Sequence, residues 1–183
     1  MPFIVLLDAS VLVPAALCDT LLRAAEADLY QVRWSPDILR EVSRGLTEGL
    51  KKSPKQAKRR IAAMRRAFKE AEVRSYQRLV PAMMVHRNDR HVAAAAIAGR
   101  AQVIVTNNLR HFPRRALKPY DIEVQPPDEF LNHLFSLDPD LMIEVLQQQA
   151  AALGNPPATP QDICERLYVY APTFAGRVLE RLK

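Results

Sequence analysis

Ile4-Val-Leu-Leu-Asp-Ala-Ser-Val-Leu12 is the stretch that decides how the rest of the chain is read. From Phe3 to Leu7 the run is apolar with no polar face. It therefore predicts a strand buried on both sides, as strands of parallel sheets are. Residues 10–27 then read as one helix, with Ser10 as its cap and Pro14 in its first turn. Further out, Gln31-Val-Arg-Trp34 is a short strand. Ser35-Pro36-Asp37 joins a cap, a proline and an acid at a helix start, and Ile38, Val42 and Leu46 follow at helical spacing. A second proline start at Pro54 predicts a helix to about Val73, with Ile61, Met64, Phe68 and Ala71 along one side. Asn88-Asp89 opens an Ala-rich helix ending at Gly99. Gln102–Val105 and, more weakly, Asp121–Val124 read as strands.

Strands separated by helices, without hairpin signals, give an α/β domain with a parallel sheet flanked by helices. We expect it over residues 1–136, with 137–183 as a helical C-terminal extension packed on the same domain. That extension has helices from Asp138-Pro139 to near Gly154, a break at Pro156-Pro157, and short helices around 160–167 and 173–182.

Composition removes several classes. The chain has 183 residues, 49% hydrophobic and 25% charged, the balance of a folded domain rather than a disordered one. No apolar run approaches the roughly 18–20 residues of a membrane span, and the N-terminal run lacks the basic flank of a signal peptide. Cys18 and Cys164 are isolated thiols, which fits a reducing cytoplasm. The four His form no familiar zinc spacing, and five Gly leave no phosphate-cradling loop.

Ligands of open parallel sheets bind beyond the carboxyl ends of the strands. Asp8 directly follows the first strand, and Thr106 and Asn108 follow the strand at 102–105. Glu41 lies one turn into the helix after Trp34, and Asp89 at a helix start. Each also has a plainer reading. Asp8 and Asp89 can cap helices, Glu41 shares a solvated face with Asp37, Arg44 and Glu48, and Thr106 and Asn108 suit a turn. Taken together at one sheet edge, clustered carboxylates need a cation to stay ionised. Mg²⁺ or Mn²⁺ suits oxygen ligands and can activate water against a phosphodiester. Ser10, Thr106 and Asn108 would add neutral ligands or orient water. An aspartate ending the first strand can also be a phosphoacceptor, but Ser10 stands where one such class has a second Asp.

In these segments the chain resembles the PIN domain family, and within it the VapC-like ribonuclease toxins of type II toxin–antitoxin systems. The matching stretches are Ile4–Leu12, Ser35-Pro-Asp-Ile-Leu-Arg-Glu-Val42, Asn88-Asp-Arg-His-Val-Ala-Ala-Ala95 and Val103-Ile-Val-Thr-Asn-Asn-Leu-Arg-His-Phe-Pro113. Residues 122–131 look like the end of that domain in one subfamily. The resemblance implies a metal-dependent endoribonuclease with Asp8, Glu41 and Asp89 as catalytic and metal-holding acids. It also implies a cognate antitoxin and a homodimer. Two positions depart from the family pattern, Asn108 and His111, where acids are usual, and both remove negative charge. They motivate an alternative, a catalytically impaired PIN domain that binds RNA or protein.

Charge supports a nucleic-acid partner. Residues 51–120 hold 18 basic and 3 acidic residues, while both ends of the chain are acidic. Lys55, Lys58, Arg59, Arg65, Arg66, Arg87, Arg90 and Arg110 are the expected RNA contacts, since phosphate neutralisation gives most sequence-independent affinity.

Overall fold

A computed structural model describes residues 3–154 and 157–183, so Pro156 of the expected break lies outside the described residues. Four strands form one sheet: β1 (Ile4–Leu7), β2 (Gln31–Arg33), β3 (Val103–Val105) and β4 (Glu123–Gln125). Their order is β2-β1-β3-β4 and every pairing is parallel. Val5 pairs with Val32 on one side and Val103 on the other. Val5, Leu6, Leu7, Ile104 and Val105 are fully buried. Strands apolar on both faces need cover on both, and the order puts β1 and β3 in the middle. Because all strands run one way, their carboxyl ends share one edge.

The single helix expected over residues 10–27 is two. α1 (Ala9–Leu12) ends at Val13, and α2 (Ala15–Glu26) starts after Pro14, whose backbone is extended. Proline has no N–H to continue the ladder and crowds the preceding turn, so it divides the segment instead of lying within its first turn. Ser10 does not act as the cap. The break has a larger consequence, because the chain forms two compact units. One comprises Met1–Val13 and Tyr30–Gln125, the other Pro14–Leu29 and Pro126–Lys183.

In the first unit, α3 (Pro36–Arg44) starts as its sequence predicts, with the buried Ser35 hydroxyl accepting from Ile38 N at 3.2 Å. Its last turn widens over Gly45–Gly49. A Cβ on Gly45 would lie 2.7 Å from Val13 Cγ2, so glycine permits the close approach to the end of α1. α4 (Pro54–Ala67) begins with a Ser53/Gln56 capping box but stops short of Val73. The reason is pairing. Trp34 N donates to Ala71 O at 3.0 Å and Val73 N donates to Trp34 O at 2.8 Å. The chain leaves the helix to cover the β2 edge, which would otherwise present unpaired amides. The buried Trp34 ring meets Phe68 edge-on at 5.8 Å. α5 (Arg90–Ala98) buries Val92 through Ala96 completely, and these small side chains let it pack closely on β1 and β3. α6 (Arg114–Leu117) leads into β4.

The second unit is helical: α2, α7 (Pro127–Leu137), α8 (Pro139–Ala151), α9 (Pro160–Leu167) and α10 (Pro172–Arg181). Each of the last four begins with proline, whose missing N–H costs nothing in a first turn. Thr20 donates to Gln149 Oε1 at 2.7 Å and Gln149 Nε2 donates to Ala16 O at 3.0 Å, a buried polar bridge between α2 and α8. Asp128 accepts from Phe174 N at 2.8 Å, and Phe135 and Phe174 pack edge to face.

Candidate active site at the sheet edge

Asp8 and Thr106 continue their strands by one residue. Asp8 N donates to Val105 O and Thr106 N to Gln125 O, each at 3.1 Å. The ladder therefore fixes both backbones at the carboxyl edge before any side chain acts. Asp8 is 2% exposed and Thr106 fully buried. Asp8 Oδ2 accepts from the Ser10 hydroxyl at 2.7 Å and the Thr106 hydroxyl at 2.8 Å. Those hydroxyls accept in turn: Asn107 N donates to Ser10 Oγ and Asn108 N to Thr106 Oγ1, both at 3.0 Å. Two short relays, from backbone N–H through hydroxyl to carboxylate, thus converge on one oxygen. Asp8 and Asp89 stand at the N-cap positions of α1 and α5, as the plainer reading has it, but neither side chain makes the capping hydrogen bond of that position.

Burial holds the Asp8 carboxyl above its ordinary value, outweighing the hydroxyls and the Ala9 amide that favour the charged form. Glu41 adds a like-charge contribution in the same direction, which places the two acids within electrostatic reach. No basic side chain among the described residues is ion-paired with Asp8.

Glu41 is partly exposed on α3, and its Oε1 receives His91 Nε2 at 2.9 Å. The neutral tautomer that suits this bond carries its proton on Nε2. Among the described residues, the buried His91 Nδ1 has no hydrogen-bond partner. Asp89 is nearly buried. Its Oδ2 lies 2.9 Å from His111 Nδ1 and 3.4 Å from His86 Nδ1. The three acids do not share one tight cluster. Among the described residues, the one group of three ligand atoms within 4.8 Å of one another is His86, Asp89 and His111.

The fold thus brings Asp8, Ser10 and Thr106 into direct contact, with Glu41 near them. Asn108 contributes only its backbone, its side chain being exposed. Asn107, absent from the sequence-derived set, donates its side-chain amide to Ser10 O at 3.1 Å and is the structural asparagine of the pair. His86 and His91 were also missed. Their only sequence signal is a position three before and two after Asp89.

Of the expected RNA contacts, Lys55, Lys58, Arg59, Arg66, Arg87 and Arg110 are exposed and Arg90 is half-buried. Arg65 is engaged by Glu72 at 2.7 Å. Arg60, on the same helix, instead donates to Leu12 O and Val13 O.

A sequence profile of the PIN domain matches residues 4–110, and one described as the VapC50 C-terminal domain matches residues 127–180. The chain is 43% identical over 102 residues to a protein named "Putative ribonuclease VapC50" from Mycobacterium tuberculosis (strain ATCC 25618 / H37Rv). That match covers 56% of this chain and 60% of the relative, so the chain spans about three-fifths of the curated protein it matches. No solved structure matches.

Proposed function

We propose that this chain, which belongs to the PIN domain family, is an endoribonuclease that hydrolyses RNA phosphodiesters with Mg²⁺ or Mn²⁺ and acts as the toxin of a toxin–antitoxin pair. The observation that carries the reading is Asp8. It is a buried carboxylate with two hydroxyls on one oxygen, a second acid in reach and, among the described residues, no basic ion-pair partner. Such a group stays ionised when a cation joins it. The donor set fits in kind: Asp8, Glu41 and Asp89 offer hard oxygen ligands, which suit an ion that keeps several of its waters. Bound there, the ion would supply a water of lowered pKa and neutralise charge on the phosphate.

The chain's own groups do the rest. Ser10 and Thr106 fix the Asp8 carboxylate through Oδ2. His91 orients Glu41. The exposed Lys55, Lys58, Arg59, Arg66, Arg87 and Arg110 hold the RNA backbone through its phosphates. The name of the mycobacterial relative supports ribonuclease chemistry. A cognate antitoxin, a second copy of the chain and a cytoplasmic location belong to the same proposal. Among the described residues no helix is long and apolar enough to cross a membrane.

Inducing the chain alone in bacteria and mapping RNA 5′ ends against an Asp8→Ala control tests the proposal. Growth arrest with new 5′ ends that the control lacks is expected. Identical maps contradict it. The competing reading, an impaired domain that only binds RNA or protein, predicts no heat of Mn²⁺ binding at millimolar concentration.

A further inference from the structure

His86, Asp89 and His111 make a donor set of different chemistry from the carboxylates. His86 precedes one tight turn, Arg87–Asp89, and His111 ends another, Leu109–His111. The backbone joins them, since His86 N donates to His111 O and Asp89 N to His86 O, both at 2.9 Å. The two imidazoles stack with centroids 4.3 Å apart. Both Nδ1 atoms face Asp89 Oδ2.

One N–H on His111 satisfies its contact with the carboxylate. His86 differs. Its Nδ1 lies 3.4 Å from Asn88 N and 3.4 Å from Asp89 Oδ2, both at the long end of hydrogen bonding. Around one ion with bonds of about 2.0–2.1 Å, neighbouring ligand atoms stand about 2.9 Å apart in octahedral and about 3.3 Å apart in tetrahedral geometry. The Nδ1 to Oδ2 separations here are 2.9 and 3.4 Å.

We propose that His86, Asp89 and His111 bind one late first-row divalent cation, of which Zn²⁺ is the type, through Nδ1, Oδ2 and Nδ1. Imidazole nitrogen suits such ions, whereas Mg²⁺ holds to oxygen and to its own water. The side chains of His86 and His111 are 46% and 39% exposed, so a fourth position faces solvent and takes water. The site shares Asp89 with the proposed nuclease centre but does not rest on that reading.

The test is Zn²⁺ titration of the full chain by calorimetry, with the visible absorption of Co²⁺ as a second reading, both in excess Mg²⁺. One Zn²⁺ per chain is expected. Its Kd should rise about tenfold or more in His86→Ala and in His111→Ala, and stay unchanged in Asp8→Asn. The Co²⁺ bands should weaken in the same two variants. Circular dichroism checks that these exposed substitutions leave the fold intact. Unchanged affinity in both histidine variants overturns the proposal, as does displacement of Zn²⁺ by Mg²⁺. Zn²⁺ binding without RNA cleavage would count against the nuclease reading and leave this one standing. Cleavage without Zn²⁺ binding would do the reverse.

Discussion

Asp8 keeps its proton more tightly in the folded protein than in the unfolded chain, because burial penalises the charge more than the hydroxyls favour it. A carboxyl raised in this way contributes stability that is complete below the unfolded value of 3.8 and is lost as pH rises through the folded one. Asp8→Asn keeps an oxygen for Ser10 and Thr106 while removing the charge. Without divalent metal, Asp8→Asn should therefore melt a few degrees above wild type at pH 8, with the gap closing toward pH 4. About 2–4 °C is expected per kcal/mol in a chain of this size. Thermal melts across that range check it, and coincident Tm values at pH 8 would mean that burial does not penalise the carboxylate. Asp8, Ser10 and Thr106 were legible because each sits just beyond or beside a strand end, where topology alone sends them to the edge. His86 and His111 were not, since a turn and a backbone bond between distant loops create their contact.

α3 shows how a helix start reaches the site. Its Ser35 cap is fully buried, and the helix carries Glu41 toward His91. Ser35→Ala leaves the Ile38 N–H without its partner and should cost about 1–2 kcal/mol, read from urea unfolding. Activity should fall by less than it does in Asp8→Asn, because Glu41 is displaced and not removed. An unchanged unfolding midpoint would show that the cap contributes nothing. The start of α3 was plain in Ser35-Pro36-Asp37, because capping chemistry is local. The end of α4 was not, because Ala67 is where the chain must turn back to pair Ala71 and Val73 with Trp34, a requirement set by the sheet. Pro14 was misplaced for a related reason. One proline marks both an allowed first turn and a break, and the choice depends on where α2 belongs.

At the scale of the molecule, residues 51–120 hold 18 basic residues against 3 acidic ones. For single-stranded RNA, each phosphate contact adds about 0.7 to the slope of log affinity against log salt. Lys55→Ala with Arg59→Ala, made on the Asp8→Asn background, should reduce that slope by up to about 1.4 in anisotropy titrations. An unchanged slope would place the RNA elsewhere. Arg60→Ala should instead lower stability, since its guanidinium donates to Leu12 O and Val13 O. By the proposed function, Asp8 and Asp89 act with a divalent ion on RNA. Its most direct test is cleavage of single-stranded RNA by the purified chain in Mn²⁺, comparing wild type with Asp8→Asn, Asp89→Asn and the double variant, with and without EDTA. The expected result is cleavage that EDTA abolishes and that each single substitution lowers by about a hundredfold or more. Cleavage indifferent to EDTA, or full activity in the double variant, would contradict it.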